Sequence, residues 1–205
     1  MKIKIRTIFI TLFIATSLNL AAQENIENAF EKSYALEKQG NYNGAINLIK
    51  TVYSANNYEL NLRLGYLNYE AGFHAESMNY YARAIVLLPN AIEPKIGYVY
   101  PASILGKWDD VLKQYLDILK IDPQNSSVNY KTGLIYYNRK NYVQAYKHFE
   151  KVVSLYPFDY DGLIMFAWTN YQTGKPKEAK ALFKRVMLLS PNDKSALEGL
   201  TLINK

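Results

Sequence analysis

Four equally spaced prolines constrain the fold of this chain more than any other feature. They recur at one constant interval along the sequence: Pro89, Pro123, Pro157 and Pro191. A glycine lies half an interval before three of them, and Lys140 occupies the remaining slot; the glycines are Gly72, Gly106 and Gly174. Each period contains an apolar-periodic segment, a short polar turn and a second such segment. The sequence therefore predicts repeated units of two helices, each unit ended by a proline that has no N–H to continue the helix.

The residues inside each period follow a common pattern of size. Position 1 of each repeat is counted from these residues: Tyr58, Ile92, Ser126 and Tyr160. Position 8 is then small in three of the four units and reads Gly65, Val99, Gly133 and Ala167. Position 20 follows the same rule and reads Ser77, Val111, Ala145 and Ala179, while position 24 is aromatic throughout: Tyr81, Tyr115, Phe149 and Phe183. Small residues at positions 8 and 20 allow the two helices of a unit to approach closely.

This pattern, including the length of its period, resembles the tetratricopeptide repeat, a helix–turn–helix unit of about 34 residues. A weaker copy begins near Ile26, and the single helix expected after Pro191 resembles the end cap that repeat arrays need. The resemblance implies an all-α fold, a right-handed α-solenoid of about five tetratricopeptide helix–turn–helix repeats plus a C-terminal capping helix. The solenoid is expected over residues 23–205, with repeats at about 26–57, 58–91, 92–125, 126–159 and 160–193 and the cap at 194–205.

Residues 1–22 differ in composition from the rest of the chain. Three basic residues precede the mainly apolar run 8–20, and two alanines follow it. Because that run is shorter than the ~20 residues that cross a bilayer, a signal peptide is favoured over an uncleaved anchor. We expect export, most simply to the periplasm, as a soluble protein or one attached peripherally to an envelope complex. The chain has no cysteine, so the sequence predicts neither disulfides nor a lipid-carrying cysteine, and no stable membrane anchor after cleavage.

Charge and residue types favour a binding protein over an enzyme. The formal net charge is +6, with 24 Lys and Arg against 18 Asp and Glu, but three of the basic residues lie in the predicted signal peptide. The remaining excess is too small to indicate nucleic-acid binding. The two histidines, His74 and His148, are far apart in sequence, and no phosphate-binding glycine loop or metal-ligand spacing is present. The sequence therefore predicts no enzymatic activity, no cofactor and no metal site.

The resemblance also implies where a partner would bind. In this family the first helices line a concave groove, and positions 2, 5, 9, 12 and 13 face it. Those positions here carry aromatic residues where a solvated face is normally polar, which is typical of an interaction surface. The predicted partner-binding residues are Tyr34, Tyr66, Tyr69, Tyr100, Tyr130, Tyr137, Trp168 and Tyr171. Tight packing of the repeats or self-association covering these rings is the alternative.

Acidic residues accompany this aromatic set. Position 2 reads Glu27, Glu59, Glu93 and Asp161, and Glu37 and Glu70 lie further along. Carboxylates in a first turn commonly serve the helix dipole. If they also bind a ligand, the partner carries Lys or Arg, whose cations can lie over tyrosine faces.

The sequence as a whole favours a non-enzymatic protein–protein interaction module of the cell envelope. It would bind a protein or peptide segment along an aromatic concave groove, and that segment would be basic if the carboxylates take part. Two alternatives stay open: an architectural subunit of an envelope assembly, and a glycan-binding groove in which aromatic rings stack on sugars.

Pro101, inside the first helix of the third repeat, raises a further hypothesis. A proline there leaves the carbonyl of Gly97 without its helical donor. It would also bend the groove beside Tyr100, unless it is only a tolerated defect.

Overall fold

A computed structural model describes residues 23–204, and these residues are organised as helices joined by short turns. The predicted signal peptide, residues 1–22, lies outside the described residues. The helices are α1 (residues 23–38), α2 (Tyr42–Thr51), α3 (Tyr58–Glu70), α4 (His74–Leu87), α5 (Glu93–Ile104), α6 (Trp108–Ile121), α7 (Ser126–Asn138), α8 (Tyr142–Leu155), α9 (Tyr160–Gln172), α10 (Pro176–Leu189) and α11 (Lys194–Ile203). The predicted all-α class is confirmed.

The repeat period is exact in the second helices. Helices α4, α6, α8 and α10 each contain 14 residues, and the periodic proline follows two residues after each of them. The first helices α3, α7 and α9 begin at position 1 of their repeats, whereas α5 begins at Glu93, which is position 2. Proline thus ends the second helices as expected, because it cannot donate the next backbone hydrogen bond.

The turn between the two helices of each repeat needs a residue in the left-handed region. Gly72 has φ +82°, and Gly40, Gly106 and Gly174 are similar, at +71°, +68° and +74°. Lys140 occupies the same slot in the fourth repeat with φ +59°. A side chain in this conformation is strained because its Cβ approaches the neighbouring carbonyl oxygen. The conformation of the turn therefore explains the periodic glycines. Lys140 is the exception to this pattern.

Asparagine or aspartate caps the first helices. Side-chain oxygens of Asn57, Asn125 and Asp159 accept the backbone N–H three residues later at the starts of α3, α7 and α9. Asp193 caps α11 in the same way. The third repeat has Ala91 at this slot, and α5 begins without a side-chain cap. Such a cap contributes about 1 kcal/mol to the stability of a helix. The missing cap at Ala91 therefore explains why α5 begins one position later than α3, α7 and α9.

A polar residue at position 4 of the first helices α3, α5 and α7 ties these three repeats to the preceding loop, whereas position 4 of α9 is Leu163. The Nδ2 atom of Asn129 donates to the carbonyls of Pro123 and Asn125 at 3.1 and 2.9 Å. Asn61 makes the equivalent pair of bonds in the second repeat. In the third repeat Lys95, 3% exposed, donates its ammonium group to the corresponding loop carbonyls. These buried polar residues thus satisfy carbonyls that follow a helix end.

The chain divides into two compact units, Met1–Leu105 and Gly106–Lys205, with the boundary between the two helices of the third predicted repeat. In the first unit α3 packs against α2, α4 and α5, and its core with α2 contains Ala45, Ile49, Leu60, Leu64 and Leu67. In the second unit α9 packs against α8, α10 and α11. Its core contains Leu163, Ala167, Phe183, Val186 and Ala196.

In three of the four repeats the aromatic residue at position 24 packs over glycine. The ring of Tyr81 lies over Gly65 of α3 and Gly97 of α5, and a Cβ placed on either glycine would approach that ring to 2.8 Å or closer. Phe149 lies over Gly133 in the same manner, and Phe183 over Gly199. The missing side chain of Gly97 is therefore explained by the Tyr81 ring rather than by Pro101. Helix α5 continues through Pro101, which is buried.

Among residues 23–204, the helices are all too short or too polar to cross a membrane.

Candidate functional site

The first unit contains a concave pocket of about 690 Å³, which we call the acidic pocket. Helices α1, α3 and α5 supply its walls, and one ring of α4 lies at its base. Its lining residues are Phe30, Tyr34, Glu37, Glu59, Leu62, Arg63, Tyr66, Tyr69, Glu70, Tyr81, Glu93, Ile96, Gly97 and Tyr100. Four of the eight predicted partner-binding residues thus come together here: Tyr34, Tyr66, Tyr69 and Tyr100. Four carboxylates accompany them against one guanidinium, so the lining carries a net negative charge.

Arg63 forms the polar floor of one half of the acidic pocket. Its side chain is almost completely buried, and its Nη1 atom lies 2.6 Å from Oε2 of Glu37. Its Nε and Nη2 atoms donate to Oγ of Ser33 at 3.1 and 3.0 Å. The guanidinium carbon lies 3.9 Å from the ring centroid of Tyr34 and 5.7 Å from that of Tyr66. Arg63 is therefore neutralised by Glu37 and packed between aromatic faces, where cation–π attraction adds to the ion pair.

Tyr66 belongs to the same network through its hydroxyl group, which donates to Oε1 of Glu37 at 2.9 Å. Burial raises the pKa of Tyr66 to about 12, with further contributions from this hydrogen bond and from the charges of Glu37 and Glu70. The phenol thus stays protonated and acts as a fixed hydrogen-bond donor. As a result, Tyr66 presents its ring, and not a free hydroxyl group, to a ligand.

The other half of the acidic pocket consists of Tyr69, Tyr100, Glu70 and Glu93. The rings of Tyr69 and Tyr100 have centroids 5.8 Å apart and are tilted by 44°. Tyr100 is 48% exposed, and both carboxylates are also exposed. These four side chains are held by α3 and α5, which pack side by side. Two aromatic faces and two solvated carboxylates therefore lie together at the mouth of the pocket.

The negative field of these carboxylates reaches the pocket base. Burial raises the pKa of Tyr81 above its usual range, and the charges of Glu93 and Glu70 raise it further. Burial also raises the pKa of Tyr58, and the charge of Glu93 and a hydrogen bond from the phenol to that carboxylate raise it further. The charges of Glu70 and Glu93 thus act on the buried phenol at the pocket base, where they disfavour added negative charge. A cation entering it gains attraction for the same reason.

The second unit contains a smaller cavity of about 470 Å³, which we call the Trp168 pocket. It is lined by Tyr137, Tyr160, Ile164, Met165, Trp168, Gln172 and Ser195. The indole N–H of Trp168 donates to Oγ of Ser195 at 2.8 Å, and its ring packs edge-to-face on Phe183 with centroids 5.1 Å apart. Trp168 therefore helps to hold the terminal helix α11 against α9, in addition to lining this cavity.

The two remaining predicted residues lie outside both linings. Tyr130 packs its ring on Phe149 with centroids 5.9 Å apart. Burial raises the pKa of Tyr130, and the charges of Asp161 and Asp159 raise it further. Tyr171 packs edge-to-face on Trp168 at 5.9 Å. In both residues the ring contacts shown are with neighbouring aromatic side chains.

Arg63 and Tyr81 line the pocket but were not predicted as site residues, and neither was Ser33, the hydrogen-bond partner of Arg63. Arg63 and Ser33 belong to different repeats, and no local motif connects them. Tyr81 was assigned to packing, which is correct, yet its ring also forms the pocket base. One sequence signal could have identified Arg63: the spacing between successive repeats places Arg63 of α3 beside the end of α1.

The described residues contain no cluster of three or more side chains suited to holding a metal ion. Asp109 and Asp110 lie in the first turn of α6, where carboxylates favour the helix dipole. Asp109 is paired with Arg139 at 2.9 Å and is 93% exposed. These carboxylates are therefore explained by local structure.

Comparison with known proteins agrees with the fold. Two family models, both described as tetratricopeptide repeat, match residues 136–201 and 30–92, which together span more than half of the chain. The crystal structure of MamA protein aligns with a TM-score of 0.69 and 20% identity, covering 81% of this chain and 92% of that one. A tetratricopeptide repeat protein from Parabacteroides merdae ATCC 43184 aligns with a TM-score of 0.71 and 22% identity, covering 88% and 72%.

A sequence search of curated proteins finds no match. The repeat period, the helix pairs and both family models agree with one another, and the solved structures show the same α-solenoid fold. The chain belongs to the tetratricopeptide-repeat family.

Proposed function

We propose that this protein is an interaction module of the cell envelope that binds a basic segment of a partner protein in the acidic pocket. The tetratricopeptide-repeat fold supports the coarser statement, that the chain is a protein–protein interaction module. The observation that carries the finer one is the composition of the pocket: six aromatic rings with four carboxylates and one guanidinium. Buried aromatic groups dominate interface hot spots, and a negatively charged lining selects a partner of the opposite charge.

The exposed parts of the pocket favour capture of an extended segment. Tyr34 and Tyr100 are 50% and 48% exposed, and they lie on α1 and α5, where each contacts a side chain of α3. A segment that contacts both therefore crosses three helices, roughly 20 Å at the usual spacing of packed helices. About six residues of extended chain span that distance.

The location of this function is part of the proposal. The basic, apolar and small-residue order of residues 1–22 supports export, which places the partner in the envelope. An architectural role in an envelope assembly uses the same surface but predicts a stoichiometric complex that does not exchange. A glycan-binding role would use the ring of Trp168. The indole N–H of this residue already donates a hydrogen bond to Ser195 and so does not serve a sugar.

Photocrosslinking in living cells tests the proposal. A benzophenone amino acid replaces Tyr100, and the matched control carries it at Tyr156, which is 56% exposed and lines neither pocket. We expect crosslinks from position 100 to a discrete partner peptide rich in Lys or Arg, identified by mass spectrometry. Combining the probe with Glu70→Gln and Glu93→Gln should remove that product.

Three results would contradict the proposal. Equal products from both probe positions would indicate non-specific contact. A crosslinked peptide without basic residues would refute the charge argument. Crosslinking to a second copy of this chain would make the surface a self-association interface.

A further inference from the structure

The two halves of the acidic pocket contain the same kinds of groups, and only one half contains a cation. In the first half, Arg63 lies against two tyrosine rings and is paired with Glu37. In the second half, Tyr69 and Tyr100 accompany Glu70 and Glu93. Arg63 is the only Lys or Arg among the residues that line the pocket. The first half thus shows, within this chain, how such groups hold a guanidinium.

The second half also differs from the first in accessibility. Arg63 is 6% exposed, whereas Tyr100 is 48% exposed, and the carboxylates of Glu70 and Glu93 are on the surface. Both carboxylates influence the pKa of Tyr81 at the base of the pocket, so their charges act on the same volume. A partner side chain can therefore reach the groups of the second half from solvent.

We propose that Tyr69, Tyr100, Glu70 and Glu93 form a subsite for one arginine side chain of the partner. The proposal rests on the proposed function, since it identifies which partner residue enters the pocket and where. Arginine fits this subsite better than lysine because its planar guanidinium stacks on tyrosine while its N–H groups remain free to donate to carboxylates. Lysine presents a compact, strongly hydrated charge that makes less contact with a ring.

Binding of short peptides of known sequence tests the subsite. The protein used is the chain in the form that its host produces after processing. The probe is a capped pentapeptide, acetyl-Gly-Ser-Arg-Ser-Gly-amide. Matched peptides replace arginine by citrulline, which has a similar shape without the charge, or by lysine. Binding is followed by nuclear magnetic resonance of isotope-labelled tyrosine rings, assigned with single Tyr→Phe variants. We expect shifts at Tyr69 and Tyr100, and an affinity roughly tenfold higher for the arginine peptide than for citrulline.

Two double variants separate local contact from general electrostatic attraction. Glu70→Gln with Glu93→Gln should weaken arginine-peptide binding about tenfold. Glu31→Gln with Glu76→Gln changes the net charge equally, at exposed carboxylates that do not line the pocket, and should change binding less than twofold. Raising the salt concentration should weaken binding without moving the shifts to other rings.

Several results would overturn the subsite. These are equal binding of the arginine and citrulline peptides, equal binding of the lysine peptide, equal losses in both double variants, or shifts confined to Tyr137 of the Trp168 pocket. If the peptides fail while photocrosslinking from Tyr100 still captures a basic segment, the subsite is refuted and the groove function stands. If both fail, the proposed function itself is wrong.

Discussion

Packing of Tyr81 between two glycines gives the sharpest prediction about the first unit. A Cβ added at Gly97 would lie 2.5 Å from Cζ of Tyr81, and one added at Gly65 would lie 2.8 Å from Cδ1 of the same ring. Ordinary carbon contacts require about 3.5 Å or more. The ring therefore cannot move away from α5 without approaching α3. Gly97→Ala should consequently overpack the site.

The expected magnitude combines two opposing effects. Overpacking in a well-packed core costs about 1–3 kcal/mol, whereas alanine is about 1 kcal/mol more favourable than glycine in a helix. We therefore expect Gly97→Ala to lower the free energy of unfolding by up to about 2 kcal/mol. In a Tyr81→Leu background the ring is absent, so Gly97→Ala should be neutral or stabilising there.

Native-state hydrogen exchange of the α4 and α5 amides measures this effect, because it reports the local opening free energy of these helices. The four proteins of the double-mutant cycle should give a coupling energy above about 1 kcal/mol between positions 81 and 97. The argument fails if Gly97→Ala stabilises the wild type as much as it stabilises the Tyr81→Leu variant. In that case helix propensity alone would account for the effect.

Three further predictions follow from single contacts. Lys140→Gly should raise the free energy of unfolding by about 0.5–1 kcal/mol, since glycine relieves the positive φ at a smaller entropic cost; Lys147→Gly, in the interior of α8, should instead destabilise in the same urea titration. Lys95→Met should destabilise by about 1–3 kcal/mol because loop carbonyls lose a buried donor, whereas Lys95→Asn, the residue that two other repeats use, should lose less by the same assay. Ultraviolet titration should show one phenol, absent in Tyr66→Phe, that ionises near pH 12. Because this pKa exceeds the ordinary 10.0, the stabilisation from Tyr66 is complete below pH 10 and is lost as the pH rises through about 12.

Much of the fold was predictable because it depends on local chemistry that recurs in each repeat. The proline that follows α4, α6, α8 and α10 and the glycine at all but one of the turns act through the backbone of their own segment, so they can be recognised without a partner. The later start of α5 was not predicted, although Ala91 at the capping slot is visible in the sequence. The hydrogen bonds that Asn61, Lys95 and Asn129 donate to carbonyls of the preceding loop were also not predicted. They become evident only when the loop carbonyls are located.

The candidate site was predictable only in part. The repeat register placed Tyr34, Tyr66, Tyr69 and Tyr100 on a common face, and the structure brings them into one pocket. The register could not show that Tyr130 and Tyr171 pack on neighbouring rings, or that Trp168 is bonded to Ser195. Such contacts depend on side-chain rotamers and on the exact approach of adjacent helices.

The sequence by itself determined the period, the helix pairs and the face on which the aromatic residues lie, because backbone preferences and helical periodicity act over a few residues. Only the tertiary structure decided that Arg63 is buried and neutralised by Glu37, and that Glu70 and Glu93 stay exposed beside Tyr69 and Tyr100. These residues are brought together from three helices, and their charges act over distances that no linear pattern records. Whether a carboxylate is satisfied internally or is available to a partner is therefore a property of the packed helices.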